Sequence, residues 1–133
     1  MLKIKLYSFS YKKSGIPEDT TPNGGGFVFD CRFIYNPGRE AKFMPLTGLD
    51  KPVKDFLDSN KEMQKFLSSV IEIIKPAIDN YLSRDFTDLM ISFGCTGGQH
   101  RSVYATEKLK KTLEAVYTDR ISIKVHHNDL PGI

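Results

Sequence analysis

The stretch ISFGCTGGQHRS, residues 91–102, constrains this chain more than any other. An apolar run ends in a glycine turn, and the turn feeds a segment of helical periodicity. A strand that passes through a tight turn into a helix makes an anion site on physical grounds alone. The first helical amides have no internal partners and point at whatever occupies the turn. Gly94, Gly97 and Gly98 let the backbone approach a ligand. Arg101, one turn in, carries a planar fork suited to two phosphate oxygens. Thr96 and Ser102 add hydroxyls, and Cys95 and His100 complete the cluster.

The flanking segments predict what this unit belongs to. LKIKLYSF (2–9) alternates with the period of two that marks a half-buried strand. YKKSGIPEDTTPNGGG (11–26) is a long loop, a kind of segment that is often functional. FVFDCRFIY (27–35) predicts a central strand, interrupted by Asp30 and Arg32, before an irregular stretch over 36–52. Asp50 is positioned to cap a short helix carrying Val53, Phe56 and Leu57. Ser59 and Glu62 have capping-box spacing ahead of a longer helix. Met63, Phe66, Leu67, Val70, Ile73, Ile74, Ala77, Ile78 and Tyr81 fall on one face of it. Pro76 lacks an amide donor, so a kink or break is expected there. DLMISFG (88–94) predicts a buried strand. Gln99 through Val116 predicts a helix with Ala105, Leu109, Leu113 and Val116 inward, and RISIKVH (120–126) a last strand. The order predicts one domain over residues 1–133, an α/β sandwich with a small, mostly parallel sheet.

Composition adds bounds. A chain of 133 residues is long enough to bury its own core. A net charge of +3 permits an anionic ligand or RNA without demanding either. Two cysteines are too few for a disulfide framework, which predicts reduced thiols and a cytoplasmic setting. No apolar run of signal-peptide or membrane-spanning length is present, and nothing calls for a metal or cofactor.

Two resemblances bear on chemistry. Cys95, five residues, Arg101 and Ser102 match the phosphate loop of cysteine-dependent phosphatases, in which a thiolate attacks phosphorus. Gly94 stands where many of those enzymes carry histidine. Only Asp30 offers itself as the general acid.

The second resemblance spans nearly the whole chain. FVFDCRFIYNP (27–37), PLTGLDKPVKDFLD (45–58) and GCTGGQHRSVYATEKL (94–109) resemble, in order and spacing, the C-terminal domain of the RapZ family of RNase adaptor proteins. SFSYKKSGIP (8–17) resembles that domain's opening motif with one extra residue. The resemblance implies an α/β domain that binds a phosphorylated amino sugar, glucosamine 6-phosphate in the well-studied branch. There it also engages small RNAs and an endoribonuclease. The positions carried over are Asp30, Arg32, Thr47, Gly48, Cys95, Thr96, Gly97, Gly98, His100, Arg101 and Ser102. A carboxylate such as Asp30 in an apolar strand needs a partner, either the sugar or Arg32.

The departures concern the other family functions. The GxxxxGK[ST] signature of the nucleotide-binding domain is absent, Gly38 replaces a histidine, Gln99 a common lysine, and HHNDLPGI a basic tail. They bear on ATP and RNA binding and leave the phosphosugar positions nearly intact. The expected function is therefore binding or sensing of a small sugar phosphate, with no catalytic residue and Cys95 as a pocket wall. The alternatives are a phosphatase using Cys95 and Arg101, and an RNA adaptor whose face is Lys108, Lys110, Lys111, Arg120 and Lys124. A homodimer is left open.

Overall fold

The alternation in LKIKLYSFS becomes β1 (Leu2–Ser10), where Leu2, Ile4 and Leu6 are wholly buried and Lys3 is exposed. In the computed structural model, which describes residues 1–131, the other elements are β2 (Phe27–Asp30), α1 (Lys51–Asp58), α2 (Lys61–Ser83), β3 (Asp88–Cys95), α3 (Arg101–Tyr117) and β4 (Ile121–His127). The strands form one sheet in the order β2-β3-β1-β4, and every pairing is parallel. The protein is a small α/β domain, as its element order predicts.

Register decides the layers. Ile4 pairs with Leu89 and Ile123, and Leu6 with Ile91 and Val125, so these apolar side chains share one face. Against it pack Ala105, Leu109 and Leu113 of α3 and Met63, Leu67, Val70, Ile74 and Ile78 of α2, in a single core. Phe66 reaches both Phe29 and Phe93. The segment 11–26 crosses the opposite face, where Gly26 touches the Met90 carbonyl and the Asn23 amide reaches Asp88. This division follows from the right-handed crossover of parallel strands. The chain leaves β1 for β2 in one direction, and leaves β3 for β4 in the other. Connections of one hand running opposite ways must pass over opposite faces. Adjacent β1 and β3 thus form a topological switch point, whose carboxyl end is the usual place for a ligand in such sheets.

Several local expectations change. The second strand stops at Asp30 instead of Tyr35. The Cys31 amide donates the last ladder bond to Gly94 (2.7 Å), and the chain then turns, with the Ile34 amide on the Cys31 carbonyl. Phe33 is consequently exposed. Asn60, not Ser59, caps α2, its Oδ1 accepting the Met63 amide at 2.8 Å. Asp50 precedes α1 but turns its carboxylate back to the Thr47 amide. Helix α2 runs unbroken through Pro76, which lies on the exposed side next to the exposed Glu72 turn, so the missing amide bond is not lost in the core. Ile73 and Val116 face solvent, and Tyr117 takes the inward place at the end of α3. Helix α3 starts at Arg101, two residues later than predicted, because residues 96–100 form the turn.

Candidate functional site

The turn after β3 is held from below. Cys95 is buried, with its Sγ accepting the Gly98 amide at 3.3 Å and lying 3.1 Å from the Ser102 hydroxyl. Gly98 has φ +72°, and a Cβ there would sit 2.9 Å from that of Asp129 and 3.0 Å from the Ser10 amide. Both the backbone region and the close approach therefore demand glycine. The Ser10 hydroxyl donates to the Thr96 carbonyl at 2.5 Å. Among the described residues, the amides of Thr96, Gly97, Gln99 and His100 donate to no protein acceptor. No side chain neighbours the position of a Cβ at Gly97 within 4 Å. Free amides beside open space are what the backbone half of an anion site requires.

The side-chain half comes from the turn that follows β2. Arg32, Phe33, Ile34, Tyr35, Asn36 and Arg39 line a hollow of about 350 Å³ together with Thr96 and Arg101. Arg101 is 4% exposed and reaches across from α3. Its Nη1 donates to the carbonyls of Ile34 (2.7 Å), Arg32 (2.9 Å) and Cys31 (3.4 Å). Its Nε is buried with no partner among the described residues. The guanidinium thus shapes the 31–34 turn with one nitrogen and leaves donor capacity over. Arg32 makes a bidentate pair with Asp30 (Nε to Oδ1 3.0 Å, Nη2 to Oδ2 2.8 Å) and lies 3.9 Å above the Tyr11 ring. The Arg32 hydrogen bond holds the Asp30 carboxyl below its ordinary range. Asp30 is engaged by Arg32, one of the two partners the sequence allows. Arg39 has no ion pair among the described residues.

The predicted residues divide into groups. Arg32, Thr96 and Arg101 meet at the hollow, with Asp30 behind Arg32. Cys95 and Ser102 lie one layer below and line no part of it. His100 is buried, its Nε2 donating to the Phe43 carbonyl (2.9 Å) and its ring against Gly38. Thr47 and Gly48 lie on the far side of the α3 start. Thr47 closes a turn with Asp50, and the Gly48 amide donates to the Gln99 carbonyl at 2.8 Å. A Cβ at Gly48 would lie 2.5 Å from the His100 carbonyl, so this glycine lets the loop press on α3. Tyr35, Asn36 and Arg39 were not singled out from sequence. The NPG turn signal at 36–38 lies among them, but the apolar run before it favours a strand.

Burial drives the Cys31 thiol well above its ordinary range, with the neighbouring Cys95 adding to the effect. For Cys95 a nucleophile's task would require contact with the ligand space. Its sulfur instead sits beneath the turn, and Asp30, the general acid the sequence offers, is bound to Arg32. The RNA face expected from sequence is divided, because Lys108 and Lys111 stand on α3 while Lys124 belongs to the opposite face of the sheet. No helix among the described residues is long and apolar enough to cross a membrane.

The fold and site define a parallel α/β domain with a glycine turn of unpartnered amides at the carboxyl end of its central strands. The chain belongs to the RapZ C-terminal domain family, whose model matches residues 2–131. It is similar to nucleotide-binding proteins of Shewanella halifaxensis (38% identical over 130 residues, 97% of this chain) and Pseudoalteromonas atlantica (39% over 129 residues, 97%). A nucleotide-binding protein of Listeria monocytogenes is 38% identical over 130 residues, 98% of this chain. The chain spans 42%, 43% and 41% of those relatives' lengths.

Proposed function

We propose that this domain binds a small phosphorylated sugar, of the glucosamine 6-phosphate type, in the hollow between the Thr96–His100 turn and residues 32–39. One observation carries this. Three arginines and a turn with unpartnered amides converge on one 350 Å³ space, and the buried Arg101 keeps an unpartnered Nε. Asp30 offsets Arg32, which leaves the charges of Arg39 and Arg101. Two positive charges match a phosphate monoester, which carries about −1.5 to −2 at neutral pH. Asn36 offers an amide to sugar hydroxyls. Phe33 and Tyr35, both substantially exposed, offer ring faces to the apolar side of a pyranose. Cytoplasmic location and a regulatory role belong to the same proposal.

Calorimetric titration tests it. Glucosamine 6-phosphate is expected to bind and glucosamine not to. Arg39→Ala, which alters an exposed side chain and leaves the fold intact, is expected to weaken binding about tenfold by removing a charge-assisted contact. Equal affinity for the two sugars, or an unchanged affinity in Arg39→Ala, refutes the assignment.

A further inference from the structure

The sheet face that the helices leave open carries a second concentration of positive charge. Lys3 and Lys5 of β1 and Lys124 of β4 project on that side, since their chain neighbours Leu2, Ile4 and Ile123 face the helices. Lys5 and Lys124 are direct register partners, and like charges placed opposite each other in a sheet repel. None of the three lysines forms an ion pair among the described residues. Two carboxylates lie nearby. Asp88, the register partner of Lys3, accepts the Thr87 hydroxyl. Asp19 interacts with Lys5, but its oxygens already accept Thr21 and Gly25.

The lysines and Asp88 border a hollow of about 370 Å³, walled on one side by Thr21 and Pro22 of the crossing loop. The lining itself holds three ammonium groups and one carboxylate, and with Asp19 beside Lys5 the excess is one positive charge. Two residues further along the same strands, Tyr7 and His126 are also register partners, and their rings stack with centroids 5.0 Å apart at 20°. A two-residue step along a strand is roughly 6.6 Å. Helices cover one face of this all-parallel sheet and a single loop crosses the other, whereas such sheets are generally covered on both faces.

We propose that this hollow is a second anion site, which takes the diphosphate group of a compact ligand, with the Tyr7–His126 pair beside it as a platform for a planar ring. A nucleoside diphosphate has this chemistry. The lysines bridge the phosphate oxygens, and the ligand's charge removes the Lys5–Lys124 repulsion. The loop wall bounds the space on one side, which suits a small molecule better than a polymer. The site shares no residue with the sugar-phosphate hollow, and the two assignments stand or fall separately.

The test is titration of the whole chain with ADP, inorganic pyrophosphate and glucosamine 6-phosphate, in the wild type and in Lys5→Gln/Lys124→Gln. ADP and pyrophosphate are expected to bind, with ADP the tighter. The double variant is expected to lose at least tenfold in affinity for both, while its glucosamine 6-phosphate titration stays at the wild-type result. Its melting temperature without ligand should equal or exceed that of the wild type, because the repulsion is gone. Absence of ADP and pyrophosphate binding overturns the site, as does binding that survives in the double variant. Pyrophosphate binding as tightly as ADP overturns the ring platform. Displacement of ADP by single-stranded oligonucleotides, more strongly as they lengthen, overturns the small-molecule assignment in favour of a nucleic acid.

Discussion

Arg101 shows how one side chain serves both fold and site. The sequence places it one turn into a helix, where a phosphate-binding fork belongs. In the structure its Nη1 gathers the carbonyls of Cys31, Arg32 and Ile34 in the turn after β2, and those of Arg32 and Ile34 have no other partner among the described residues. Buried carbonyls left without a donor are costly, and bonds to a charged donor are worth more than neutral ones. Arg101→Ala is therefore expected to destabilise the domain by on the order of 3 kcal/mol, measured by urea denaturation. Arg101→Lys should recover only part of that, because one ammonium group cannot reproduce the planar fork. If Arg101→Ala melted like the wild type, the 31–34 turn would not depend on it. Cys95 illustrates the opposite case. Its spacing to Arg101 is that of a nucleophile, yet its sulfur accepts an amide from inside the turn and has no contact with the hollow.

Among the elements, α3 carries the most strain at its exit. Thr118 follows the last helical residue with φ 47° and ψ −114°, a region a β-branched residue rarely adopts. Glycine takes this conformation without the steric penalty, and the Thr118 hydroxyl contributes only an exposed 3.3 Å bond to Asp119. Thr118→Gly is expected to stabilise the protein by about 1 kcal/mol, seen as a rise in melting temperature of roughly 3 °C. A fall would mean that the helix end relaxes in solution. The start of α2 shows how a sequence pattern shifts by one place. Ser59 and Glu62 have the spacing of a capping box, but Asn60 follows directly and is itself a strong cap. Its side chain reaches the third amide of the helix, so the boundary moves one residue on.

At the scale of the whole molecule, two tyrosines of α3 tie the helical layer together. Tyr117 donates to the Asp79 carboxylate and the Lys75 carbonyl of α2, and Tyr104 donates to Asp58 of α1. Burial, then the carboxylate partner, pushes the Tyr117 hydroxyl up to about 12 and raises that of Tyr104 further. A hydroxyl whose folded pKa exceeds its unfolded value near 10 holds its proton more tightly when folded. Its contribution is complete below about pH 10 and disappears as pH rises through the folded value. Stability is therefore expected to fall between about pH 10 and 12, and Tyr117→Phe should flatten that fall, as followed by denaturant midpoints across the range. An identical slope in the variant would remove Tyr117 from the linkage.

What the sequence determined by itself was everything that depends on local periodicity and local chemistry. The alternation in β1, the apolar faces of α2 and α3, and the glycine turn between β3 and α3 are legible because they rest on neighbours within a few residues. The blocks around residues 27–37, 45–58 and 94–109 were enough to assign the family. Tertiary structure decided the rest. The length of β2 depends on a guanidinium arriving from residue 101. The division of the sheet into a helical face and an open face depends on the handedness of two crossovers. Which of the marked residues meet was also decided by packing. Arg39 joins Arg101 at the hollow, while Thr47 and Gly48 brace α3 from behind, because side-chain direction follows from how the α3 start is wedged between two turns. Both of those turns lie far from Arg101 in the sequence, so no local window shows how they meet it.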